Sequence, residues 1–125
     1  MSWKIISISG NKAMNFIFQT VLSKKYTVLG VETVYQASAE LKRSESDCVV
    51  IIDDNDREEV TAFLQHLETS FLSKDIHIIL LSESKDVKLK STFLKTVFPK
   101  PFNPQEVAVY IDSITSKPSV TVFNS

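Results

Sequence analysis

Apolar runs and amphipathic stretches alternate along the whole chain. Residues 3–8 form an apolar run closed by Ser9-Gly10-Asn11 and predict a first strand. Residues 12–24 carry Met14, Ile17, Phe18, Val21 and Leu22 at helical spacing. A second strand over 26–31 precedes Thr33, a suitable helix cap, and a helix face of Val34, Ala37 and Leu41. Residues 48–52 are apolar without alternation, as expected of a strand covered on both faces, and residues 76–81 repeat that pattern. Between them, Val60, Phe63, Leu64 and Leu67 mark a helix that extends toward Leu72. Residues 86–95 read as a weaker helix through Val87, Leu89, Phe93 and Leu94, and 96–98 as a short fifth strand. The last helix begins at Asn103, with Pro104 in its first position and Glu106 placed to complete a capping box. Its inner face is Val107, Tyr110, Ile111 and Ile114.

Five strands, each followed by a helix, predict an α/β fold with a doubly wound parallel sheet between two helical layers. Lys117-Pro118 ends the pattern, which divides the chain into one domain over 1–116 and a tail over 117–125, where 120–123 offer one further strand. With 14 basic and 15 acidic residues and a net charge of −1, the chain has no general pull toward nucleic acid or an anionic membrane. Lys85, Lys88, Lys90 and Lys95 cluster and read as a solvated helix face. Cys48 is the only cysteine, so it has no disulfide partner in the chain and reads as a small buried hydrophobe. No apolar run reaches the roughly 18 residues of a membrane span, and the start lacks a signal-peptide pattern, so a cytoplasmic location is expected. Zinc spacing, a P-loop and a dinucleotide glycine fingerprint are absent from a sequence with only Gly10 and Gly30.

The candidate chemistry lies at strand ends. Asp53 closes the third strand, Ser82 the fourth, and Lys100 follows the fifth. In a parallel sheet these ends share one edge, where ligands bind. An acid, a hydroxyl and a lysine on that edge form the constellation of a phosphoryl-accepting site. Asp54 is the alternative acceptor, one residue out of register, and Ser82 reads equally well as a cap for the following helix. His66 and His77 have no metal-ligand spacing.

On Lys100-Pro101-Phe102 after the fifth strand, and on 47–53 ending in Asp53, the chain resembles the receiver domain of two-component response regulators over residues 3–115. The resemblance implies strand order 2-1-3-4-5 (flavodoxin-like), Asp53 as phosphoacceptor, Lys100 and Ser82 as phosphate-contacting residues, and a cis bond before Pro101. It implies partnership with a histidine kinase or other signalling protein, and output through the fourth helix, fifth strand and fifth helix. Here that surface translates to Phe93, Val97, Phe98 and Tyr110. The departures are as informative. Ser9-Gly10 stand where the family carries the acidic pair that holds magnesium, and Asp56-Arg57 replace its methionine–proline. The stretch from Ser82 to Lys100 is also shortened, and Val97 replaces the switch aromatic.

Magnesium needs hard anionic oxygens, so affinity is expected to be weak at most and no other cofactor is implied. The expected function is a degenerate receiver that is not an enzyme. It acts mainly as a protein-interaction module and binds neither nucleic acid nor membrane through this domain. The alternative is a working phosphoacceptor that takes phosphate from a histidine kinase onto Asp53. A flavodoxin-type cofactor binder would need a fuller phosphate loop than Ser7-Ile8-Ser9-Gly10-Asn11.

Overall fold

The computed structural model describes residues 3–70, 74–84 and 87–116. Strands and helices alternate as far as β4: β1 (Trp3–Ile8), α1 (Lys12–Leu22), β2 (Thr27–Val31), α2 (Val34–Arg43), β3 (Asp47–Asp53) and α3 (Arg57–Glu68). β4 (Ile76–Ser82), β5 (Leu94–Pro99) and α4 (Pro104–Thr115) complete the described elements. All neighbouring strands pair in parallel, in the order β2-β1-β3-β4-β5. This is the expected topology.

Strand alternation explains the two cores. Ile6, Ile8, Val50, Ile52, Ile78 and Leu80 point to one face, where α2 and α3 add Ala37, Leu41, Phe63 and Leu64. Ile5, Val49, Ile51, Ile79 and Leu81 point to the other, covered by Phe18 and Leu22 of α1 and by Val107 and Ile111 of α4. Cys48 is fully buried, and that burial pushes its thiol pKa up. The helix starts use side-chain caps. Asn11 accepts from the Ala13 N–H at 2.9 Å, and Thr33 forms a reciprocal capping box with Gln36. Asn103 accepts from the Gln105 N–H at 2.9 Å, without the predicted reciprocal bond from Glu106 among the described residues.

One predicted element is absent from the described residues. The described part of the span read as a helix over 86–95 has no helical turn, and β5 begins earlier than expected, at Leu94. Eleven residues separate Ser82 from Leu94, whereas a parallel crossover containing a helix takes about a dozen or more. Val87 and Leu89 sit two apart, with Lys88 and Lys90 interleaved, which is the period of extended chain rather than helix. Glu68 at the end of α3 then fixes the segment, accepting from the Ser91 hydroxyl at 2.8 Å and the Thr92 N–H at 2.8 Å. Val87, Leu89 and Phe93 pack on the α2–α3 core directly.

The lysine cluster is therefore not a helix face, and its Lys85 lies outside the described residues. So do Leu72 and the tail strand expected over 120–123. No helix among the described residues is long and apolar enough to cross a membrane.

Two phenylalanines two residues apart on α1, and so on opposite faces of the helix, test this packing. Phe18 is fully buried, whereas Phe16 is 68% exposed. Phe18→Ala is expected to cost about 3–5 kcal/mol in urea unfolding, and Phe16→Ser to stay within about 0.5 kcal/mol of wild type. Equal losses at the two positions would contradict the assignment of α1's inner face.

Candidate functional site

β1, β3, β4 and β5 all end at one edge of the sheet and bring Ser9, Asp53, Ser82 and Lys100 there. Asp53 is the last residue of β3, and its side chain is only 3% exposed. A carboxylate this buried needs partners. Lys100 Nζ forms an ion pair with Asp53 Oδ1. Ser9 Oγ donates to Asp53 Oδ2 at 2.8 Å, and Asn55 Nδ2 donates to the same oxygen at 3.0 Å. The Ser9 hydroxyl also accepts from the Asn11 N–H at 2.9 Å, which fixes it at the mouth of α1. The Lys100–Pro101 peptide bond is cis. Past it, Phe102 stacks on Phe18 with ring centroids 5.5 Å apart, tying the lysine loop to the core.

Asp54 leads elsewhere. Arg57, the first residue of α3, donates to Asp54 Oδ2 through Nε at 3.1 Å and Nη2 at 2.5 Å. Ser82 Oγ donates to the same Asp54 oxygen at 2.7 Å. The structure thus carries Ser82 to the edge but gives its hydroxyl to Asp54 rather than Asp53, and among the described residues no helix directly follows for it to cap. Burial alone raises the Asp54 pKa, but the bonds from Arg57 and Ser82, with the Arg57 and Lys100 charges, bring it below its ordinary 3.8.

A cavity of about 190 Å³ opens over Asp53, bounded by Gly10, Glu32, Asp56 and Glu59. The larger cavity, about 810 Å³, lies between α2 and α3 over Val34 and Phe63 and contains none of the edge lysine, hydroxyls or Asp53. The donors around Asp53 do not suit magnesium. Asp53 is already paired with an ammonium, its other partners are a neutral hydroxyl and an amide, and Gly10 has no side chain, while Glu32, Asp56 and Glu59 at the cavity walls are not gathered with Asp53 into a metal-holding cluster. Among the described residues no group of three or more His, Cys, Asp or Glu is arranged to hold a metal ion.

Asn55 carries no functional signal in the sequence, and Arg57 stands out there only by its place beside Asp56. Spacing offered a signal for Arg57, since its long side chain can reach back to an acid three residues earlier. Phe93, Val97, Phe98 and Tyr110 are half-buried rather than presented together. The first two pack on the α2–α3 core, and the last two meet edge-to-face at 5.9 Å on the opposite one. Among the described residues, the large apolar side chains that are exposed are Phe16, Ile17, Tyr35 and Val109.

No known family profile and no curated protein matches the chain. Solved structures do. A CheY-like response regulator receiver domain from Methylobacillus flagellatus superposes with a TM-score of 0.75 at 17% identity, covering 91% of this chain and 99% of that one. The signal receiver domain of an HD domain-containing protein from Pseudomonas fluorescens gives 0.75 at 20% identity, over 92% and 88%. A chemotaxis response regulator of Vibrio cholerae gives 0.75 at 17%, over 91% and 99%. The fold is that of a receiver domain. At 17–20% identity, fold is what these proteins share.

The lowered Asp54 pKa sets a pH dependence. A carboxyl that is more acidic folded than unfolded adds stability above its ordinary 3.8, and that stability is lost as pH falls through the lower folded value. Asp54→Asn is expected to lose about 1–2 kcal/mol at pH 6, a modest figure because Arg57 is about a third exposed and solvent screens it. Urea unfolding in acid should show the gap to wild type closing below pH 3.8. A gap that stays constant into acid would contradict it.

Proposed function

We propose that this chain is a receiver-type signalling module that works mainly through protein contacts, with weak or no magnesium-dependent phosphorylation at Asp53. Its partner on this reading is a histidine kinase or another signalling protein, and neither nucleic acid nor membrane is engaged by this domain. One observation carries the reading. Asp53 is neutralised from within, by Lys100, in a pocket whose β1 end supplies Ser9 and Gly10 instead of carboxylates.

The physical reason is charge. Transfer of a phosphoryl group to a carboxylate sets negative charge against negative charge, and cations must offset it in the transition state. Lys100 is one point charge, already spent on the ground-state carboxylate. No second cation faces Asp53 among the described residues, because Arg57 is turned to Asp54. Such a site lowers the barrier less than one with a metal and a free lysine.

A second reading, a working phosphoacceptor fed by a histidine kinase, is favoured by the direct Asp53–Lys100 pairing on a receiver fold. Mass spectrometry after acetyl-phosphate treatment, with and without magnesium, separates the two. The first reading expects little label on Asp53 and no gain from the metal. Strong magnesium-dependent labelling would establish the second.

The metal argument has its own test. Gly10 has no positive φ, and a Cβ built there meets nothing within 4 Å, so the backbone accepts a side chain at this position. Titration calorimetry on wild type is expected to show no saturable magnesium binding at micromolar concentrations. The double variant Ser9→Asp with Gly10→Asp should gain it. Micromolar binding by wild type would show the donor set to be sufficient after all.

A further inference from the structure

Adjacent strand residues face opposite ways, and here that divides two carboxylates between the two sides of the sheet edge. Asp53 pairs in register with Leu81 and turns toward Ser9 and Lys100. Asp54 comes one step later, beside Ser82, and turns toward the start of α3. The Ser82 hydroxyl has a single proton to donate, and it donates it to Asp54 at 2.7 Å. The same oxygen accepts from the Ser84 N–H at 3.1 Å and from Arg57 Nη2 at 3.3 Å. Ser82 is thus 1% exposed with its hydroxyl fully engaged.

We infer that Asp54 and Arg57 are positioning residues that hold the Ser82 hydroxyl on the α3 side of the edge, so that changes at Asp53 are not passed to β4 through it. This rests on the proposed function and deepens it, by giving the reason that output from such a module does not follow the state of Asp53. A hydrogen bond to an ionised acceptor is stronger than a neutral one, so turning Ser82 toward Asp53 gives up a charge-assisted bond. It would also leave Asp54, whose side chain is only 5% exposed, short of a donor. Asp53 has no matching deficit, since Lys100, Ser9 and Asn55 already serve it. Arg57 holds Asp54 in place from the first position of α3, directly behind the Asp56 cap.

Double-mutant cycles test this. In an otherwise wild-type chain, Ser82→Ala and Asp53→Asn are expected to be additive in urea unfolding. With Asp54→Ala added, Ser82 is released toward Asp53, and the pair should couple by a factor of about three or more in the unfolding constant. Asp54→Asn keeps an acceptor oxygen without the charge, so its coupling should fall between. Non-additivity with Asp54 present, or additivity after its removal in a folded protein, overturns the inference.

If Asp54→Ala does not fold, the Ser84 amide is the reporter, because it donates to the Ser82 hydroxyl. Asp53→Asn should leave its NMR shift unmoved in wild type and move it in Asp54→Asn, whereas equal movement in both overturns the inference. Acetyl-phosphate labelling of the same wild-type sample judges the functional reading separately. A strongly labelled protein with additive cycles keeps the lock and loses that reading, and an unlabelled protein with coupled cycles does the reverse.

Discussion

A carboxylate at the end of a fully apolar strand constrains everything built around it. Asp53 closes β3 behind Val49, Val50, Ile51 and Ile52, all essentially without exposure, and an unpaired charge there would cost several kcal/mol. Lys100 meets that demand, and its position depends on β5 ending in register. The Lys100 N–H continues the ladder by donating to the Ser82 carbonyl at 3.1 Å. Phe102, stacked on Phe18, and the Asn103 cap then turn the chain directly into α4. The ion pair, the β4–β5 pairing and the seat of the last helix are three parts of one arrangement.

The same reasoning applies to Asp54. Its side chain is nearly as buried, and it has its own cation in Arg57 and its own hydroxyl in Ser82. Two neighbouring acids are thus neutralised separately, on opposite sides of one strand end. A single lysine between two such carboxylates would leave one uncompensated. Asp56-Arg57 therefore serve the presence of Asp54. Asp56 caps α3 through the Glu59 N–H, and Arg57 follows at once with the charge.

Much of this was legible from residue types alone, because it depends on local rules. Apolar runs without polar alternation announced strands buried on both faces, and Thr33 and Asn103 announced helix starts. The gathering of Asp53, Ser82 and Lys100 at one edge follows from parallel topology. What was not legible depends on contacts distant in sequence. The apolar residues at 87, 89 and 93 fit a helix face loosely, and the Glu68 bonds that hold the segment extended come from more than twenty residues away. Ile17 kept helical spacing with Phe18 yet is exposed, since spacing marks a stripe but not its edge. Which acid Ser82 would choose could not be read either, because it turns on the direction in which two adjacent side chains leave β3.

The short β4–β5 connection changes what the sheet edge can do mechanically. Where a helix would span this crossover, Val87, Leu89 and Phe93 lie directly on the α2–α3 core. α3 is tied at both ends to the flanks of that connection. At its start Arg57 bonds Asp54 and reaches Ser82, and at its end Glu68 holds Ser91 and Thr92. Moving the β4 end would therefore require breaking a charge-assisted pair near the sheet edge and a carboxylate clamp at the far end together. A surface held in this way presents one shape to a partner. The proposed contact function needs that property, and a phosphorylation-driven switch would need its opposite.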